Sequence, residues 1–293
     1  MIVERVSENV HSVRIGANFN NKEWEQYFLL LSDVHFDNPK CKRKLLFKHL
    51  DEAKKLNAPV LINGDLFCLM QGKYDPRSSK SDIRPQHNKA DYLDAVINEA
   101  ATLFAPYGDI LTVVGRGNHE QSVLHRQETD VIRRFCLRLS EKCGRTVYPG
   151  GYGGYVIVKF EYPKGKASTP SRRSVRIKYF HGSGGGGIVS RGVLKTRMGI
   201  YLPDADIVTT GHIHEKWAVN IARERLSEHG NISLSNQLHV CTGTYKEEYG
   251  TGKSGWHVET GKPPKALGGY WLRFTSTGGS DNRKVVAQAM EAV

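Results

Sequence analysis

Five short apolar runs in this chain each end in a polar cluster, and that coupling leaves few folds open. Tyr27–Leu31 runs into SDVHFD, Pro59–Ile62 into NGDLF, and Ile110–Val114 into GRGNHE. Val175–Phe180 runs into HGSGGGG, and Ala205–Thr209 into TGHIHE. Short runs rich in Val, Ile, Leu and Phe, closed by Gly, Asn or Asp, are the pattern of strands buried on both faces. Segments of helical period separate the first three. Asn38-Pro39 reads as the cap and first turn of a helix carrying Leu45, Leu46, His49, Leu50, Ala53 and Leu56. Asp91 can cap a second helix with Val96, Ile97, Ala100 and Phe104 on its inner face, and a third is expected from about Ser122 to Leu139. Alternation of this kind gives right-handed crossovers and a largely parallel sheet. The second half is richer in glycine, with strand-like pieces at Gly154–Phe160, Val175–Phe180, Leu238–Thr242 and Tyr270–Phe274, which suits a second, mixed sheet.

The polar clusters hold Asp33-x-His35, Gly64-Asp65, Gly117-Asn118-His119-Glu120, His181-Gly182 and Gly211-His212-x-His214. Carboxyl ends of strands in an open α/β sheet point to one rim, so residues far apart in sequence meet there. Imidazole with carboxylate suits manganese, zinc, iron or nickel better than calcium or magnesium alone. If the chain stays extended, residues i and i+2 share a side, so Asp33 and His35 can face one ion together, as can His212 and His214. Singly the motifs say little. D-x-H arises by chance, GD after a strand is usually a turn, and a lone strand-end histidine such as His181 is more often a structural hydrogen bonder. All five in order, each at a strand terminus, describe a metal site.

The set resembles the calcineurin-like metallophosphoesterase superfamily, whose blocks are D-x-H, GD, GNH[DE], H and GH-x-H. The resemblance spans Phe28 to about Glu215. It implies a four-layer α/β/β/α sandwich with two mixed sheets and a two-metal site. By position, Asp33, His35, Asp65 and His214 would hold the first ion. Asp65 would bridge to the second, which also takes Asn118, His181 and His212. His119 is similar to the family's non-ligand histidine, which contacts phosphate and protonates the leaving oxygen. Two ions about 3.5–4 Å apart clamp phosphoryl oxygens and make hydroxide available near neutral pH. GDLF with GNHE and GHIH looks most like the nuclease and repair-exonuclease branch, although Cys68 stands where that branch commonly carries His or Asp.

Composition bears on partners. Hydrophobic residues at 39% and charged residues at 25% are ordinary for a globular chain, which argues against disorder and coiled coil. No apolar run approaches the ~20 residues of a membrane helix, and the first stretch lacks the apolar centre of a secretory signal. The expectation is a soluble, cytoplasmic protein without a membrane partner. Five scattered cysteines with no C-x-x-C pair read as reduced, mostly buried thiols. The net charge of +12 favours a polyanionic partner. Substrate contacts are expected from Arg116 and Arg191, with Lys195, Arg197 and the insertion Lys73–Lys89 as further candidates, because arginine grips phosphate bidentately. His87 in that insertion reads as an exposed loop residue. The segment Thr242–Trp271 interleaves aromatics with lysines, which suits either stacked bases or ordinary core strands. The whole chain, 1–293, reads as one domain, with 1–26 an N-terminal extension and 216–293 the C-terminal part of the second sheet.

Three functions follow from different classes. The first is a phosphodiesterase on nucleic acid or nucleotides, using two divalent ions, manganese first and zinc, iron or nickel as alternatives. The second is a phosphomonoesterase of proteins or small molecules. The third is a non-catalytic scaffold on the same fold, which the complete set of ligand-type residues disfavours.

Overall fold

The computed structural model describes residues 1–70, 78–162, 171–187, 189–193, 202–250, 255–278 and 284–293. Two mixed sheets face each other. The five-stranded sheet has β3 (Glu25–Leu31), β4 (Val60–Ile62) and β5 (Leu111–Val114) in parallel, then β11 (Tyr270–Thr277) and β12 (Lys284–Glu291) antiparallel beyond β3. The seven-stranded sheet runs β1 (Ile2–Ser7), β2 (Val10–Gly16), β6 (Gly153–Tyr162), β7 (Ser171–Phe180), β8 (Ile207–Thr210), β10 (Ile232–Cys241), β9 (Trp217–Leu226). Within it β7, β8 and β10 are parallel neighbours.

Alternation along β3 explains the layering. Leu29 and Leu31 face a cluster with Leu46 and Leu50 of α1 (Arg43–Lys55), Val96 and Phe104 of α2 (Tyr92–Phe104), and Ile132 and Phe135 of α4 (Val131–Cys143). Phe28 and Leu30 face the other way, packing with Val156, Val158, Ile177 and Tyr179 of the seven-stranded sheet. Each fully buried Leu, Ile or Phe contributes about 1.5–3 kcal/mol, which is why the two-faced strands lie between layers. The fold class read from the sequence is the one observed: α/β, with two mixed sheets flanked by helices. Residues 1–26 contribute β1, β2 and the start of β3. The 216–293 stretch divides between the sheets, β9 and β10 joining the larger one and β11 and β12 the smaller.

Three local expectations need correction. Asn38-Pro39 does not open α1, which begins at Arg43 with Lys42 as its cap. Asn38 instead closes a turn on His35, its amide N–H bonding His35 O at 2.9 Å. The helix expected from Ser122 to Leu139 is two: α3 (Asn118–Gln127) ends at Glu128, whose φ of 51° is left-handed, and Asp130 caps α4 by accepting Arg133 N–H at 3.0 Å. The apolar period continues through the break, so only the cap reveals it. His87 is buried, 1% exposed, with Nε2 2.7 Å from Glu99 Oε2, which also receives Arg43.

Candidate metal centre

The carboxyl ends of β3, β4 and β5 deliver Asp33, His35, Asp65, Asn118 and His119, while those of β7 and β8 deliver His181, His212 and His214. Asn63 joins the two sets, its side-chain N–H bonding Phe180 O at 3.1 Å and Thr209 O at 3.2 Å, while His181 Nδ1 donates to Asn63 O at 2.7 Å. The chain does not stay extended where it passes the site. Asp33, His35, Asp65, His212 and His214 have φ of 50°, 49°, 48°, 72° and 56°. Left-handed non-glycine residues are uncommon and cost about 1–3 kcal/mol each, so surrounding bonds must hold them. They do. Asp33 N–H and His35 N–H donate to Gly64 O and Asp65 O at 3.1 and 3.0 Å, lacing the two loops together. Asp33 O accepts Tyr245 N–H at 3.0 Å and Thr244 Oγ1 at 2.8 Å.

The result is two donor groups. In the first, His214 Nε2 lies 3.2 Å from both Asp33 Oδ1 and His35 Nε2. In the second, Asp65 Oδ2 is 3.3 Å from His181 Nε2, and Asn118 Oδ1 is 2.7 Å from His212 Nδ1 and 3.2 Å from His181 Nε2. His212 N–H donates to Asp33 Oδ2 at 2.9 Å and ties one group to the other. His119 stands beside them, its Nε2 3.9 Å from Asp65 Oδ2. All eight expected residues therefore converge. Gly117 is required by this closeness, since a Cβ there would run into the Asp65 carboxylate.

Electrostatics favour cation binding. Burial alone would raise the carboxyls, yet His214 draws Asp33 down, and His181 with His119 holds Asp65 well below the usual carboxylate range. Burial works against His181 too, but Asp65 pushes it up to about 10. Burial, with repulsion from His119 and His214, drives His35 well below an ordinary imidazole. Asp33 Oδ1 is buried without an aligned hydrogen bond among the described residues, and His35 and His214 aim nitrogens at each other. Lone-pair atoms converging on one point need positive charge between them. Metal ions could be held by this donor set.

Arg116 and Arg191 lie outside the cluster. Arg116 Nη1 is 3.7 Å from Asp130, and the exposed Arg191 is 3.6 Å from Glu215. Lys195 and Arg197 fall outside the described residues, as does the 73–77 part of the insertion. Ser79, Ser81 and Asp82 of that insertion line a cavity of about 1310 Å3 that opens on the site. Its wall also takes Lys40, Lys42, Lys246, Lys262 and Lys265, together with Glu215, Glu247 and Glu259. Tyr245 and Tyr270 of the 242–271 segment are core residues, not stacking platforms.

Two carboxylates went unread in the sequence. Glu120 accepts N–H groups of Asp65, Phe67 and Gly117 at 3.2, 2.9 and 2.8 Å, and Asp37 accepts those of Cys68 and Leu69 at 2.6 and 2.9 Å. Burial, then the Asp65 carboxylate, pushes Glu120 up to about 8. Glu120 closed the GNH[DE] block without a role of its own, and the signal for that role was its place three residues after Gly117, the reach-back position of a helix start.

Similar folds were found among solved structures at low likeness. Vacuolar protein sorting 29 from Cryptosporidium parvum is 14% identical, covering 92% of this chain and 100% of its own, with a TM-score of 0.35. GAP50, described as the anchor in the inner membrane complex of Plasmodium, is 12% identical, covering 92% and 85%, with a TM-score of 0.42. A Thermotoga maritima protein solved in solution is 11% identical, covering 90% and 99%, with a TM-score of 0.32. No protein-family model matches the chain, and no curated protein matches it.

Proposed function

We propose that this chain is a dinuclear-metal-dependent phosphoesterase, acting as a phosphodiesterase on nucleic acid or nucleotide substrates. The observation that carries the reading is the pair of adjoining donor groups, Asp33–His35–His214 and Asp65–His181–His212 with Asn118, beside His119. Divalent ions held there, manganese first, supply Lewis-acid stabilisation of phosphoryl oxygens. Asp65 would be shared between the two ions, and the neutral oxygen of Asn118 would leave net positive charge for a phosphate in flight. His119 is tautomerically set. Its Nδ1 is 2.6 Å from Cys68 O, a carbonyl that can only accept, so the proton sits on Nδ1 in the neutral ring. Nε2 is then the atom that takes up a proton and gives it to a leaving oxygen.

The substrate class rests on charge and space. Five lysines and five carboxylates line a cavity above the ~300–1,000 Å3 of ordinary small-molecule pockets, so the bias toward a polyanion comes from the chain's net charge of +12. Arg116 and Arg191 stay candidates for contacts with a longer substrate reaching past that wall. We read 1–293 as a single cytoplasmic domain; no helix among the described residues is long and apolar enough to cross a membrane. The test is a comparison of bis(p-nitrophenyl) phosphate with p-nitrophenyl phosphate under Mn²⁺, followed by single- and double-stranded DNA and RNA. Preference for the diester is expected. A clear preference for the monoester turns the reading to a phosphatase.

A further inference from the structure

We propose that a thiophilic divalent cation such as Zn²⁺ or Cd²⁺ binds at His35, Cys68 and His119, a third position beside the two donor groups, and inhibits the protein. The inhibitory half rests on the phosphoesterase reading; the binding half does not. One ligand atom from each of the three residues lies within 4.8 Å of the other two. A tetrahedral ion with bonds of about 2.3 Å to sulfur and about 2.0–2.1 Å to nitrogen holds its ligand atoms about 3.3–3.6 Å apart, so the three groups would close in on it as it binds.

The three groups are held in place. Cys68 is fully buried, its backbone N–H and that of Leu69 clamped by the Asp37 carboxylate, which also receives Tyr92 Oη at 2.8 Å. The Asn38 side-chain N–H donates to Cys68 Sγ at 3.3 Å. His119 is oriented by its bond to Cys68 O, and its ring centroid is 4.9 Å from that of His35. His35 Nδ1 is buried without a hydrogen-bond partner among the described residues.

Ligand softness separates this position from its neighbours. The two donor groups offer only nitrogen and oxygen, which manganese accepts, whereas a thiolate with two imidazoles selects zinc or cadmium. On binding, the Cys68 thiol releases its proton to solvent and the sulfur–metal bond forms. The ion then occupies His119, the proton donor, and competes for His35, which belongs to the first group.

The experiment titrates Cd²⁺ into the full chain saturated with Mn²⁺. It reads the thiolate-to-cadmium charge-transfer absorption and bound cadmium, with diester hydrolysis in parallel. Wild type is expected to show the band and to be inhibited at least tenfold more readily than C68S, which loses the band. H119A keeps all five cysteines but binds the band-forming cadmium at least tenfold more weakly. An undiminished band in C68S, or an unchanged affinity in H119A, overturns the proposal. If the Mn²⁺ protein hydrolyses no phosphate ester, the phosphoesterase reading fails while the band still decides the site.

Discussion

Glu120 Oε1 accepts the backbone N–H of Phe67 at 2.9 Å, while the other oxygen takes the N–H groups of Gly117 and Asp65. One buried side chain thus sets the loop that carries Asp65 and the turn that carries Asn118 and His119. Glu120→Ala leaves three buried donors without partners, at about 1–3 kcal/mol each before relaxation. The expected net loss is about 2–4 kcal/mol, seen as a fall of several degrees in Tm, together with weaker metal retention. An unchanged Tm would show that the clamp is dispensable.

Asp65 and His119 should separate by readout. Asp65 meets His181 at 3.3 Å and accepts His119 N–H at 2.9 Å, so Asp65→Asn removes charge that its neighbours use and that the proposed metal pair would need. Metal content by elemental analysis is expected to drop and turnover to vanish. His119 is absent from both principal donor groups, so His119→Ala should keep its metal and lose about 10²–10⁴-fold in kcat. Normal turnover with one ion per chain would contradict the two-metal reading.

Gly117 supplies a steric test of the same geometry. Its Cβ position is filled by the Asp65 carboxylate and backbone N–H. Gly117→Ala must therefore shift the Asp65 backbone as well as its carboxylate. Both metal affinity and Tm are expected to fall, whereas Gly16→Ala, with open space around its Cβ and no left-handed φ, serves as a control for the added methyl group alone.

What could be read in the sequence follows from where the information lies. Each candidate ligand comes directly after an apolar run, so strand burial and site membership were legible together at Asp33, Asp65, Asn118, His181 and His212. The left-handed turns at Asp33, His35, Asp65, His212 and His214 were not, because they are imposed by neighbouring loops such as Gly64 O on Asp33. Strand partnership was equally hidden. β11 carries the same alternation whichever sheet it joins, and only its pairing with β3, Tyr270 opposite Leu30, assigns it. His87 looked exposed because its polar insertion gives no hint of Glu99 waiting on α2. Thr242 and Thr244 follow a sixth strand end, β10, but carry no ligand-type side chain, so their hold on Ser32 and Asp33 went unseen.

Two histidines far from the centre set an acid dependence of stability. His11 on β2 and His239 on β10 are buried, and burial, with Arg5 near the first and Arg223 near the second, lowers each to about 4. Their unfolded value is near 6.5. Because the folded state resists protonation, the stability they permit is complete above about pH 6.5 and is lost as pH falls toward 4. The slope reaches about 1.4 kcal/mol per pH unit for each histidine. Neither ring nitrogen of His11 has a hydrogen-bond partner among the described residues, so an apolar side chain of similar size leaves nothing unpaired. His11→Leu is therefore expected to be neutral or mildly stabilising at pH 7.5 and clearly stabilising at pH 5. Urea unfolding at the two pH values measures the difference directly, and titration of the metal-site histidines cancels between variant and parent. An equal loss at both values would mean that His11 packs or bonds in a way that leucine cannot replace, and the acid limb would then have to come from elsewhere.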